Sequence, residues 1–450
     1  MNSLILHGGC LVDHNSMMRA DLWIEDGHIA GLLAPGEGLE FARSKKGVRL
    51  ESAEGLYILP GLVDVHVHLR EPGLEHKEDM TSGTGAAACA GVTTVLDMPN
   101  TIPPVLNKER LLQKMELAKD RVYVDIGFYG AVECDHVDNL SEMSDAGAIA
   151  FKLFLGPTTG NIKAPDRGAL FNAFKKVADT GLPLVVHAED AVINAYWEPI
   201  MRSRGDSYGN FIQSHPAYGE AVAAELAIRL AETTDVKLHI AHIGSLEMLS
   251  VLRAAKERNA PVTGETCPHY LGLSEADWPL VKNNLKVLPP IRSAYDSKGL
   301  WESVREGLIE VISTDHAPHL PEERAGKSIW DSPGGTAGLD TLLPLLLDWA
   351  NKGRLTLCDV VKLCSTQPAK TFGLKGKGSL KPGTFADLVL VDMTQRMFIE
   401  GNLLQTRCKS TPFEGLEVQG VPISTYLRGK LIANQGELVK DKPSGRVLTS

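Results

Sequence analysis

The strongest constraint on this chain is a rhythm in its middle, where brief β-branched or apolar runs alternate with longer stretches rich in Ala, Leu, Glu and Lys. Eight such runs occur: LVDVHVH, TTVLDMPN, VYVDIGFYG, AIAFKLF, LPLVVHAE, VKLHIAHI, APVTGETCP and EVISTDHA. Helix-like segments such as MTSGTGAAACAG, NKERLLQKMELAK, RGALFNAFKKVADT, YGEAVAAELAIRLAETT and SLEMLSVLRAAKER separate them. Eight strands alternating with helices over roughly 270 residues match a (β/α)8 TIM barrel, whose usual size is about 250 residues. An open doubly wound sheet is the competing arrangement.

The two ends read differently. Residues 1–60 hold short alternating stretches (SLILHG, ADLWIEDGHIAGLL, LYILPG) with Gly, Asp and Pro between them, and strand-and-turn pieces return from about 378 onward. The expected organisation is a composite β-sandwich domain from 1–60 and 378–450 around a barrel spanning 61–377. That brings the termini together.

Candidate metal ligands fall at the strand ends. His66 and His68 end the first run, Lys152 sits in the fourth, His187 ends the fifth, His242 the sixth and Asp315 the eighth. In a barrel these positions open onto the C-terminal face, where active sites are built. His66 and His68 are two apart, so on a strand they point the same way and can share one ion. Taken singly, each has a dull reading: a hydrogen-bonded histidine, a capping aspartate, a lysine buried beside a carboxylate. The joint placement is what those readings leave unexplained. An ammonium cannot bind a cation, but a lysine that has reacted with CO2 is an anionic carbamate with two oxygens. Four imidazoles, one carbamate and one aspartate suit two Zn2+ ions with an open position for a bridging hydroxide.

Composition narrows the partners. Lys and Arg total 46 against 56 Asp and Glu, a net charge of −10 that argues against nucleic acid. No run approaches the ~20 apolar residues of a membrane span, and the N-terminus lacks a basic n-region, so neither a membrane anchor nor a signal peptide is expected. The 7 cysteines form no CxxC pair, which suits a reducing, cytoplasmic compartment. The expected partners are a small-molecule substrate and further copies of the chain, as a homodimer or tetramer.

The motifs DVHVHLREPG (64–73), VLDMPNT (95–101), FKLFLG (151–156), VVHAED (185–190), HIAHIGS (239–245) and STDHAPH (313–319) resemble those of the cyclic amidohydrolases, most of all the dihydroorotases. The resemblance runs on to GTFADLVLVD (383–392) and implies a metal-dependent barrel with a β-sandwich made from both ends. It implies that His66, His68 and Asp315 hold one zinc, that His187 and His242 hold another, and that carboxylated Lys152 bridges them. Asp315 is then also the catalytic base and acid. The implied activity is the reversible cyclisation of N-carbamoyl-L-aspartate to L-dihydroorotate in pyrimidine biosynthesis.

Substrate choice rests on other residues. The resemblance implies that the ring carboxylate of dihydroorotate is held by Arg70, Asn100 and His319. A guanidinium offers such a group a bidentate fork, which an uncharged ring cannot use. The sequence departs from the pattern at Leu288, where many dihydroorotases carry asparagine. TGETCPHY (263–270) and SPGGTAGLDT (332–341) are similar to allantoinase, which keeps allantoinase or a hydantoinase of the dihydropyrimidinase type as the alternative. Cys267 and His269, in the seventh run, are read as packing residues. The segment Gly156-Pro157-Thr158-Thr159-Gly160-Asn161 has a mobile loop's composition, and Thr158 or Thr159 is expected to touch substrate. A non-catalytic assembly partner is disfavoured because all six ligand positions are filled.

Overall fold

The computed structural model describes residues 3–160, 162–163, 165–439 and 442–450; Asn161 of the threonine loop and the first two residues of the opening segment lie outside the described residues. All eight runs form strands: β1 (Leu62–Val67), β2 (Val92–Asp97), β3 (Asp125–Ala131), β4 (Ala150–Phe154), β5 (Leu184–His187), β6 (Leu238–Ile240), β7 (Val262–Thr266) and β8 (Val311–Ile312). Each pairs in parallel with the next. A parallel bridge from Val67 to His316, just past β8, links the last strand back to the first. The arrangement is therefore a (β/α)8 barrel and not an open sheet.

Residues of β1 to β5 are buried throughout. Helices cover the outer face of such a sheet and side chains fill its interior, which is why its strands read as apolar runs. Val63, Val65, Leu96, Met98, Tyr129, Val185 and Val311 pack together, and the Tyr129 hydroxyl donates to Val65 O at 2.8 Å. The helix Met80–Cys89 is capped by Asp79, which accepts from Ser82 N. A Cβ on its Gly83 would stand 2.4 Å from Leu69 Cδ2. The bare glycine thus lets this helix seat against the turn that carries Arg70.

Strands from the two ends meet in one sheet. Tyr57–Pro60 pairs antiparallel with Leu388–Phe398, which continues through Glu417–Leu427 to Lys430–Asn434. A second sheet is wholly N-terminal, with Ser3–His7 between Asp21–Glu25 and Val48–Ser52. Leu4, Leu6, Leu22, Ile24, Ile58, Leu388 and Leu390 form the core shared by these elements. The opening segment has the pattern of an all-strand unit, yet Glu37–Ser44 is a helix, with Glu37 and Glu40 in its first turn and Arg43 in its last. That charge order complements the helix dipole. Asp125 of β3 ties barrel to sheet: it accepts from Lys377 Nζ at 2.7 Å and from Arg428 Nη1 at 2.6 Å. Lys377 also reaches Asp387 at 2.7 Å. No helix among the described residues is long and apolar enough to cross a membrane.

Candidate active site

His66, His68, Lys152, His187, His242 and Asp315 line one cavity of about 90 Å³ at the C-terminal face of the barrel. The two-residue spacing on β1 aims both histidines at Asp315, whose Oδ1 lies 3.3 Å from His66 Nε2 and 3.1 Å from His68 Nε2. Ligand atoms of these three residues all lie within 4.8 Å of one another, close enough to share an ion. Opposite them, His187 Nδ1 and His242 Nε2 face each other at 2.9 Å. Lys152 Nζ and His242 Nδ1 are buried without a hydrogen-bond partner among the described residues. Burial pushes the Lys152 ammonium down to about 8 and His68 down to about 4, against the pull of Asp315. Imidazoles, a carboxylate and an orphaned buried amine form a donor set that fits divalent metal.

The imidazoles are held from behind. Glu265 Oε1 lies 2.5 Å from His66 Nδ1, Asn100 Oδ1 lies 2.8 Å from His68 Nδ1, and Glu189 Oε2 lies 2.9 Å from His187 Nε2. Each acceptor makes its partner nitrogen the protonated one and leaves the other lone pair facing the cavity. Sequence reasoning passed over Glu265 and Glu189. Their signal is a carboxylate inside a strand run, at Glu265, and one two residues beyond a strand-end histidine, at Glu189.

Of the residues read as substrate contacts, Arg70, Asn100, Thr158 and Thr159 line the same cavity. Asn100 is already engaged, since its Nδ2 donates to Thr158 Oγ1 at 3.1 Å while its oxygen faces His68. Arg70 is 5% exposed and adopts φ 64°. Its Nε has no hydrogen-bond partner among the described residues, and its Nη2 lies 3.2 Å from His319 Nε2. No carboxylate among the described residues forms an ion pair with it. His319 is buried but is not part of the cavity lining. Leu288 does line the cavity, presenting an apolar side chain there. His269 lies in the short helix Pro268–Gly272 beyond β7, buried, and Cys267 is buried with its thiol pushed well up by desolvation.

Comparison with known proteins places this geometry in context. The model of the amidohydrolase family matches residues 57–432. A dihydroorotase of Bacillus cytotoxicus is 34% identical over 448 residues, covering 96% of this chain and 98% of that protein. An allantoinase of Rubrobacter xylanophilus is 34% identical, covering 98% and 95%. Among solved structures, the L-hydantoinase (dihydropyrimidinase) from Arthrobacter aurescens superposes with a TM-score of 0.96 at 30% identity, covering 100% of both chains.

Proposed function

The chain belongs to the amidohydrolase family, as a metal-dependent hydrolase of cyclic amides, and from that premise we propose that its substrate ring carries a carboxylate and that the protein is a dihydroorotase. It would interconvert L-dihydroorotate and N-carbamoyl-L-aspartate. The observation that carries this reading is Arg70: a buried guanidinium in the cavity wall, with an unmet Nε and no carboxylate partner among the described residues. A buried guanidinium that Asp315, Asp97 and Glu323 stabilise only at longer range, without an ion pair, is costly, and an anionic substrate group supplies the direct partner. An uncharged hydantoin or allantoin ring leaves that cost in place.

In this reading His66, His68 and Asp315 would hold one zinc and His187 and His242 the other, with Lys152, carboxylated by CO2, as a further ligand. When bound, the metals supply Lewis acidity to the scissile carbonyl and make water a competent nucleophile at neutral pH. Asp315, set between His66 and His68, takes the proton of the attacking water and returns it to the departing ring nitrogen. Arg70 binds the ring carboxylate and fixes which face of the carbonyl is presented. Asn100 orients His68 and anchors Thr158, so the threonine loop and the metal ligand are positioned together.

Two observations favour a second reading, hydrolysis of an uncharged hydantoin: the full-length superposition on L-hydantoinase and the apolar Leu288 in the cavity lining. Ring opening assayed on L-dihydroorotate, hydantoin and allantoin separates the two. Selective turnover of L-dihydroorotate that is lost in Arg70→Met supports the first reading; turnover of the uncharged rings that is indifferent to that change supports the second.

A further inference from the structure

Each ring nitrogen of His319 has one polar neighbour at 3.1 Å and a second slightly farther off, Arg70 beside Nε2 and Glu323 beside Nδ1. Lys77 Nζ lies 3.1 Å from Nδ1, and the carbonyl oxygen of Gly334 lies 3.1 Å from Nε2. An ammonium only donates and a carbonyl only accepts. The ring is therefore the neutral tautomer with its proton on Nε2, and that proton is given to Gly334. Burial, reinforced by the charges of Arg70, Lys77 and Arg324, pushes its imidazolium far below the ordinary range, in keeping with a neutral ring. The approach of Arg70 Nη2 to Nε2 at 3.2 Å is then a meeting of two donors, not a hydrogen bond.

The surroundings hold this arrangement. Arg324 donates to the carbonyls of Gly335 and Asn283, so the strand of chain bearing the Gly334 carbonyl is pinned from behind. Gly335 sits at φ +131°, where a Cβ would stand 2.6 Å from Ala317 O; only glycine lets the backbone pass here. Lys77 is itself aimed by Glu323 Oε1 at 2.8 Å, while Glu323 Oε2 lies 3.6 Å from His319 Nδ1. Remove the ammonium, and that carboxylate is the next partner for Nδ1. The ring would then carry its proton on Nδ1, turn a lone pair on Nε2 towards Arg70, and satisfy the guanidinium internally.

We propose that Lys77 is a positioning residue for anion recognition: by donating to His319 Nδ1 it denies Arg70 an acceptor within the protein and leaves the guanidinium free for the carboxylate of the substrate. This rests on the reading that the substrate carries that carboxylate. Lys77 is not part of the cavity lining, and its effect travels through one imidazole.

The test compares wild type with Lys77→Met, Lys77→Arg and Arg70→Met, all metal-loaded, on L-dihydroorotate and with dihydrouracil, the same ring without the carboxylate, as a competitive inhibitor. Loss of one hydrogen bond's worth of free charge is expected to raise KM for L-dihydroorotate about tenfold in Lys77→Met, with kcat within about twofold. The Ki of dihydrouracil is expected to stay unchanged, and Lys77→Arg to restore most of the loss. A KM that does not move, or a KM and Ki that rise together, overturns the role of Lys77. If Arg70→Met also leaves KM unchanged, the carboxylate reading itself has failed. A second readout does not depend on turnover: 15N-histidine spectra, with the His319 signals identified by their loss in His319→Asn. Wild type is expected to show the Nε2–H tautomer and Lys77→Met the Nδ1–H tautomer; the same tautomer in both overturns the proposal whatever the substrate.

Discussion

Arg70 Nη2 stands 3.2 Å from Nε2 of His319, a nitrogen whose proton is already donated to Gly334 O, so the two closest polar groups of this pair are both donors. A guanidinium kept in such company is poised for an outside acceptor. Truncating it as Arg70→Met is expected to lower kcat/KM for L-dihydroorotate by about a hundredfold or more, as loss of one member of a buried charge pair does. Parallel kinetics with hydantoin should show a change of less than about threefold.

Asn100 joins substrate loop and metal ligand through its 2.8 Å contact to His68 and its 3.1 Å bond to Thr158. Asn100→Leu removes the acceptor that orients His68, and metal affinity is expected to fall by about 10–100-fold. Competition against a chromogenic chelator measures this directly. A loss of substrate affinity with unchanged metal affinity would assign Asn100 to the substrate alone.

Lys152 carries a buried amine with no hydrogen-bond partner among the described residues, which as an ammonium is a cost to the metal-free fold. Lys152→Met is expected to leave the melting temperature of metal-free protein unchanged or higher, while bound metal per chain drops and ring opening falls below detection. Calorimetry and elemental analysis on one preparation read both effects. Native mass spectrometry of wild type should show the added mass of CO2, absent from the variant.

The Asp125 latch predicts acid sensitivity. Burial alone would raise its carboxyl, but Lys377 and Arg428 outweigh burial and hold it below its ordinary range. A carboxylate whose folded pKa lies below its unfolded value, about 3.9, stabilises the fold above that pH and loses the contribution as pH falls through the folded value. Asp125→Asn is expected to cost roughly 1–3 kcal/mol at pH 7, because it removes the carboxylate that Lys377 and Arg428 share while Lys377 keeps Asp387. The difference from wild type should shrink in urea denaturation below about pH 4.

Much of this was legible in the chain. The strands stood out because a parallel barrel buries both faces, so LVDVHVH and LPLVVHAE show as apolar runs with histidine only where the strand meets the cavity. The ligands stood out for the same reason, histidines and an aspartate closing four of the apolar runs and a lysine inside a fifth. Glu265 was hidden because a carboxylate inside a strand has no spacing rule; its meaning is the His66 nitrogen 199 residues away. Lys77 was hidden likewise, its partner His319 being 242 residues distant and reached only once the ring closes. The helix Glu37–Ser44 escaped because it is only two turns long, half-exposed and set among strand-like stretches.

The central claim is that Arg70 selects a carboxylate-bearing ring, and the most direct measurement is ring opening of L-dihydroorotate by zinc- and bicarbonate-loaded enzyme, followed by loss of ultraviolet absorbance at mildly alkaline pH. The account predicts turnover by wild type that collapses in Arg70→Met while bound metal stays constant. Folded, metal-loaded protein that leaves L-dihydroorotate untouched but opens hydantoin or allantoin would contradict it.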